Sequence, residues 1–146
     1  MRTSPLRSRR SAPDLSLLAV APFDSYPERA VRPLAGHADR LRLREGTELA
    51  REQQRADEFV VVLSGEVIAH CDGQEVGRLG AGAHIGATEL LQGTRHAHTL
   101  LAGRDLDVLV VYGPSFRWAA QMLPGFTEAV LAGVPTRRPG SGCRWP

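Results

Sequence analysis

Between positions 77 and 100 the chain reads GRLGAGAHIGATELLQGTRHAHTL, and its residue types could hold an anion. Gly80 and Gly82 mark turns. Gly86 precedes a short apolar run with Leu90 and Leu91, and Gln92-Gly93-Thr94 is a polar turn before Arg95, His96, Ala97 and His98. Glycine tolerates positive φ and lets backbones approach closely. A glycine leading into a helical turn leaves N–H groups without intrahelical partners, and these favour an anion. A basic residue further along can close over that anion. The chemistry implied is a small pocket for a phosphate-bearing ligand. Gly86, Ala87, Thr88, Glu89 and Leu90 would lie on one side of it, and Arg95, His96 and Ala97 on the other.

The histidines suggest a second chemistry. On a strand, His96 and His98 would project the same way. The pair resembles the HxH of metal-binding cupin barrels, which usually add a glutamate a few residues later and a distant histidine. Here Leu100, Leu101, Ala102 and Gly103 follow, and the nearest acid is Asp105. His84 or His70 would have to complete such a site. The plainer expectation puts His96 and His98 at a partly exposed barrel rim, with Glu89 facing solvent and His37 in a loop. No tightly bound transition metal is expected.

Catalytic patterns are missing from the sequence: there is no Gly-x-Ser-x-Gly, no Cys–His arrangement and no Walker loop. No catalytic residue is assigned, and the expectation is a protein that is not an enzyme. Cys71 and Cys143 offer neither metal-ligand spacing nor a disulfide framework, and read as free thiols of a cytoplasmic protein. No apolar run reaches the roughly 18 residues needed to span a membrane.

All 18 basic residues are arginine. Four lie in the first ten residues and three after Thr136, without acids beside them. In residues 11–134, eleven arginines face sixteen acids, a formal charge of −5. An acidic core does not suit a nucleic-acid backbone, which needs clustered positive charge. The tails could support only weak, salt-sensitive contact with an acidic surface.

The elements that must position these residues read as strands with a period of two. Leu41 and Leu43 alternate with Arg40, Arg42 and Arg44, and Glu48 to Arg51 is a second short strand. Phe59-Val-Val-Val-Leu63 is continuous and β-branched, so buried on both faces. Val67 to Cys71 and Gln74 to Leu79 flank Asp72-Gly73, a hairpin signal. His98 to Ala102 and Asp107 to Tyr112 complete the set. Short strands with glycine turns predict a mainly β, antiparallel barrel, of jelly-roll or double-stranded β-helix type. Glu28 to Leu34, Pro114 to Leu123 and Phe126 to Val130 read as short flanking helices, the first shortened or broken by Pro33. One domain is expected over 27–134, with a disordered Arg/Pro-rich arm over 1–26 and a flexible tail over 135–146.

Several blocks in order resemble the cyclic nucleotide-binding domain family. They are Glu45-Gly46-Thr47, Asp57 through Val67, Gly77 through Gly82, Ile85-Gly86, and the closing Phe116…Leu123-Pro124-Gly125-Phe126. The resemblance implies a stand-alone sensor module with a phosphate-binding cassette, and cyclic AMP or cyclic GMP as ligand. Its cassette reads Phe-Gly-Glu-(aliphatic)-Ala-Leu, a loop, then Pro-Arg-x-Ala-Thr-Val. Gly86, Leu90, Thr99 and Leu100 match without gaps. Ala87 stands at the ribose-binding acid, and His96 at the phosphate-binding arginine. Glu89 and Arg95 lie near but out of register. The resemblance therefore implies weakened or lost affinity. The chain has no room after its last expected helix for the DNA-reading domain that catabolite-activator-type regulators carry. A protein partner supplying the output is expected, with a homo-oligomer as a further expectation. The alternatives are a metal-dependent cupin-like enzyme and an interaction scaffold with a vestigial pocket.

Overall fold

A computed structural model describes residues 15–132. The Arg-rich tails, and the expectations placed on them, lie outside these residues. Eight strands form two four-stranded antiparallel sheets. In one sheet the order is β1 (Ala38–Leu43), β8 (Leu106–Tyr112), β3 (Glu58–Ser64) and β6 (His84–Ile85). In the other it is β2 (Glu48–Ala50), β7 (Thr99–Ala102), β4 (Val67–Cys71) and β5 (Gln74–Leu79). The strands expected from the sequence are present, and the jelly-roll expectation holds. The two-residue β6 carries no periodicity of its own and exists because Val60 and Val61 pair with Ile85 and His84.

β3 explains the sandwich. Phe59, Val60, Val61 and Val62 are all essentially buried, so the strand is covered on both faces. Val60 and Val62 point between the sheets with Ala69, Ile85 and Leu100. Phe59 and Val61 point outward beneath the helices α1 (Glu28–Ala35), α3 (Gly113–Met122) and α4 (Phe126–Ala132). At the β4–β5 turn, Asp72 and Gly73 both have positive φ, 51° and 81°. That is the geometry the Asp-Gly pair signals for a tight hairpin.

The four phenylalanines form one cluster. Phe59 stacks on Phe116 at 4.4 Å between ring centroids, and Phe126 lies 5.5 Å from Phe116 and 5.2 Å from Phe23. Burying one such ring contributes roughly 1.5–3 kcal/mol. Phe23 also corrects the expected boundary at residue 26. Leu15–Ala19 and Phe23–Ser25 are 3-10 turns, and Leu17 and Phe23 are buried in the helical layer. The packed unit therefore begins before residue 27, because these apolar side chains find a surface in the helices. Helix α1 runs through Pro33 to Ala35, held by buried Val31, Leu34 and Ala35. Among the described residues no helix is long and apolar enough to cross a membrane.

The free-thiol expectation is corrected at Cys71, which is disulfide-bonded; Cys143 lies outside the described residues. The thiol argument for a cytoplasmic location falls with it.

Candidate ligand-binding cassette

The cassette is a strand, a left-handed glycine and a short helix. β6 delivers the chain to Gly86, whose φ is 92°. Helix α2 (Ala87–Gln92) starts there and ends at Gly93, again left-handed at φ 69°. The Leu90 N–H donates to the Gly86 carbonyl, and the Gly93 N–H to the Glu89 carbonyl, both at 2.9 Å. A Cβ at Gly86 would lie 2.3 Å from the Glu58 carbonyl oxygen. The tight crossing of cassette and β3 therefore requires glycine here.

Within α2, Ala87 and Leu90 are buried in the apolar layer with Phe59 and Phe116, and Thr88 is half-buried. Ala87 supplies no acceptor to a ribose hydroxyl. Glu89 is half-buried rather than solvent-facing, and it acts electrostatically on His84. The His84 ring lies 5.6 Å from that of Phe59. Burial lowers the His84 pKa below the ordinary histidine value near 6.5, and Glu89 opposes this only in part.

A prediction follows from that shift. A histidine whose folded pKa is depressed takes up its proton more readily when unfolded, so the fold is fully stable above about pH 6.5 and loses stability as pH falls below it. The melting temperature should drop between pH 7 and pH 5, and the slope should flatten in His84→Asn. An identical slope in the variant would assign the acid sensitivity to other groups.

The second half of the cassette differs more from expectation. His96 and His98 are buried, at 8% and 4% exposure, and not at a barrel rim. Neighbouring strand residues face opposite ways. Residues 96, 98, 100 and 102 follow the inward face, on which Leu100 and Ala102 meet the core. Ala97 is half-buried, and Arg95 is exposed on the other side. The backbone is pinned by the Gln53 N–H donating to the His96 carbonyl at 2.8 Å and the His96 N–H donating to the Gln54 carbonyl at 2.9 Å. Arg95 Nη1 donates to the Gln53 carbonyl at 2.9 Å. The structure thus turns Arg95 to the loop, on the Gln53 carbonyl, while Glu89 is half-buried on helix α2.

Glu52 was invisible to motif reading. Its carboxylate accepts from the Asp72 N–H at 3.2 Å and from Thr99 Oγ1 at 3.1 Å, and Thr99 Oγ1 accepts from the Glu52 N–H. Glu52 thereby ties the β4–β5 turn to the strand that follows the cassette. Among the described residues, the ligating atoms that gather within metal-binding distance belong to Glu52, Cys71 and Asp72. The sulfur is already bonded and no histidine joins them, so this set does not fit the cupin-type centre. A cleft of about 460 Å³ lies between Leu43, Arg44, Arg104 and Asp105. It sits where Ser64 pairs with Asp107, whereas the cassette adjoins the Glu58–Tyr112 end of the same strands. Its exposed ion pairs are Arg42–Asp105 and Arg104–Glu45, at 3.4 Å and 3.9 Å.

An antiparallel two-sheet jelly roll, capped by helices and carrying a glycine-started cassette between β6 and β7, defines a regulatory ligand-binding class. The model of the cyclic nucleotide-binding domain matches residues 40–122, more than half of the chain, which therefore belongs to that family. A cyclic nucleotide-binding-like protein from Brucella abortus is 30% identical with a TM-score of 0.59, covering 72% of this chain and 94% of that one. The Thermus thermophilus catabolite activator protein is 21% identical, with a TM-score of 0.62 over 75% and 54% of the two chains. The regulatory domain of Toxoplasma gondii PKA with cAMP is 18% identical, with a TM-score of 0.67 over 80% and 46%. Two uncharacterised Mycobacterium tuberculosis proteins are 48% identical over 63 residues, which is 43% of this chain and 12% of each relative. The chain thus spans about an eighth of the length of these relatives.

Proposed function

We propose that this domain is a regulatory sensor module whose cassette holds a cyclic nucleotide, cyclic AMP or cyclic GMP, only weakly. It passes its state to a protein partner or an adjoining domain that supplies the output. The observation that carries this reading is a cassette whose frame is built and whose two ligand side chains are replaced. Gly86 and α2 make the turn, while Ala87 sits in the apolar layer and His96 lies buried. A neutral imidazole does not supply the bidentate, permanently charged fork of an arginine. In this reading the phosphate lies among Gly86, Ala87, Thr88, Glu89, Leu90, His96 and Ala97, held mainly by backbone N–H groups, and the exposed Arg95 stays outside it. The enzyme reading has the least support, since family and fold are those of regulatory domains.

Titration with cyclic AMP and cyclic GMP, followed by amide chemical shifts, tests this. Shifts confined to residues 84–100, with a dissociation constant on the order of millimolar, are expected from the lost charge-assisted contacts. Micromolar binding would contradict the weakened site. Unmoved cassette amides would favour the vestigial-pocket scaffold.

A further inference from the structure

Arg55 and Arg95 face each other across an isolated antiparallel bridge between the loop after β2 and the end of the cassette. Side chains directly opposite in such a pair have Cβ atoms about 4.5–5.5 Å apart, and like charges there are destabilising. Elsewhere the fold avoids this arrangement. Arg32, Arg40, Arg42, Arg51, Arg78 and Arg104 each have a carboxylate within 4.0 Å. Arg55 and Arg95, like Arg29, Arg44 and Arg117, have none among the described residues, but Arg55 and Arg95 also stand directly opposite one another across a bridge.

The pair is also held in place. Reciprocal backbone bonds between Gln53, Gln54 and His96 fix the bridge. Gln53 adopts a left-handed φ of 68°, and its carbonyl takes one Nη1 hydrogen of Arg95. A non-glycine residue held in that region costs on the order of 1–3 kcal/mol, and such strain clusters at functional sites. Here the strained residue's carbonyl orients the guanidinium of an exposed arginine.

We propose that Arg55 and Arg95 form a second anion site, on the outer face of the barrel, that takes a phosphate monoester. Two exposed arginines on directly opposed positions can bring two guanidinium forks to the oxygens of one dianionic phosphate, and its charge relieves their repulsion. The site is separate from the cassette pocket, because Arg95 is exposed while His96 is buried. It stands whether or not the cassette binds a cyclic nucleotide.

The test uses the full chain, inorganic phosphate, and a labelled Gly/Ser peptide carrying one phosphoserine, with its unphosphorylated form as control. Wild type is expected to bind the phosphopeptide in a salt-sensitive way. Arg55→Ala and Arg95→Ala should each weaken binding about fivefold, the scale of an exposed ion pair. Arg55→Glu should abolish binding while raising the melting temperature, because it converts a repulsion into an ion pair. Inorganic phosphate matching the peptide's affinity would mark a free phosphate as sufficient. A peptide at least tenfold tighter would mark a phosphate presented on a chain; either result supports the site. Phosphopeptide binding no better than the control, or unchanged in both alanine variants, overturns it. So does a lower melting temperature in Arg55→Glu.

Discussion

Replacing Ala87 by Glu and His96 by Arg together is expected to raise cyclic nucleotide affinity by about two to four decades. Each substitution offers the ligand one charge-assisted hydrogen-bonding group, to the ribose hydroxyl and to the cyclic phosphate. Such contacts contribute about 1.5–3 kcal/mol each, and 1.4 kcal/mol is one decade. The frame that must aim them exists already in Gly86, α2 and the pinned backbone at His96. Ala87 lies in the apolar layer, so Ala87→Glu alone should lower the melting temperature until ligand is added. His96→Arg alone keeps that layer intact and should recover about one to two decades. Calorimetry on the three variants decides the matter. Should wild type bind as tightly as the double variant, Glu89 and Arg95 perform these roles despite their orientation here. Should no variant bind, the pocket is closed and the scaffold reading gains.

Gly86→Ala should be the most destabilising single methyl in the cassette, and Gly82→Ala is its control. The two glycines share a backbone conformation, with φ of 92° and 91°. An added Cβ at Gly82 meets nothing within 4 Å, whereas at Gly86 it lies 2.3 Å from the Glu58 carbonyl oxygen. The left-handed cost of about 1 kcal/mol is common to both. On that ground Gly82→Ala should lower the melting temperature by about 2–4 °C. Gly86→Ala must also move β6 away from β3, and its loss should be at least about twice as large. Equal losses would mean that the crossing is soft and does not set the cassette's position.

Much of the fold was legible in the chain itself. Alternation at Arg40–Arg44, the β-branched run at Phe59–Leu63 and the Asp72-Gly73 turn each describe a local geometry, and each appears where expected. The cassette's start was legible for the same reason. A left-handed glycine before a helical turn is a property of a few adjacent residues. The out-of-register pair, by contrast, looked from spacing alone as if it might rescue the ligand contacts. A short sequence window does not say which way Glu89 and Arg95 turn.

Residue order alone therefore determined the strand periods, the turn positions, the helices after β8, and the presence of Ala87 and His96 where the family's cassette carries an acid and an arginine. The tertiary structure decided which face each side chain occupies and what stands opposite it. It buried His96 and His98, placed Arg55 against Arg95, and joined Glu52 to Thr99 and Asp72. It also drew Phe23 into the helical layer 36 residues before Phe59, its partner at 6.1 Å. Periodicity arises from dihedral preferences within a few residues. Facing and pairing arise from register between segments far apart in the chain, set by where the whole apolar surface is best buried.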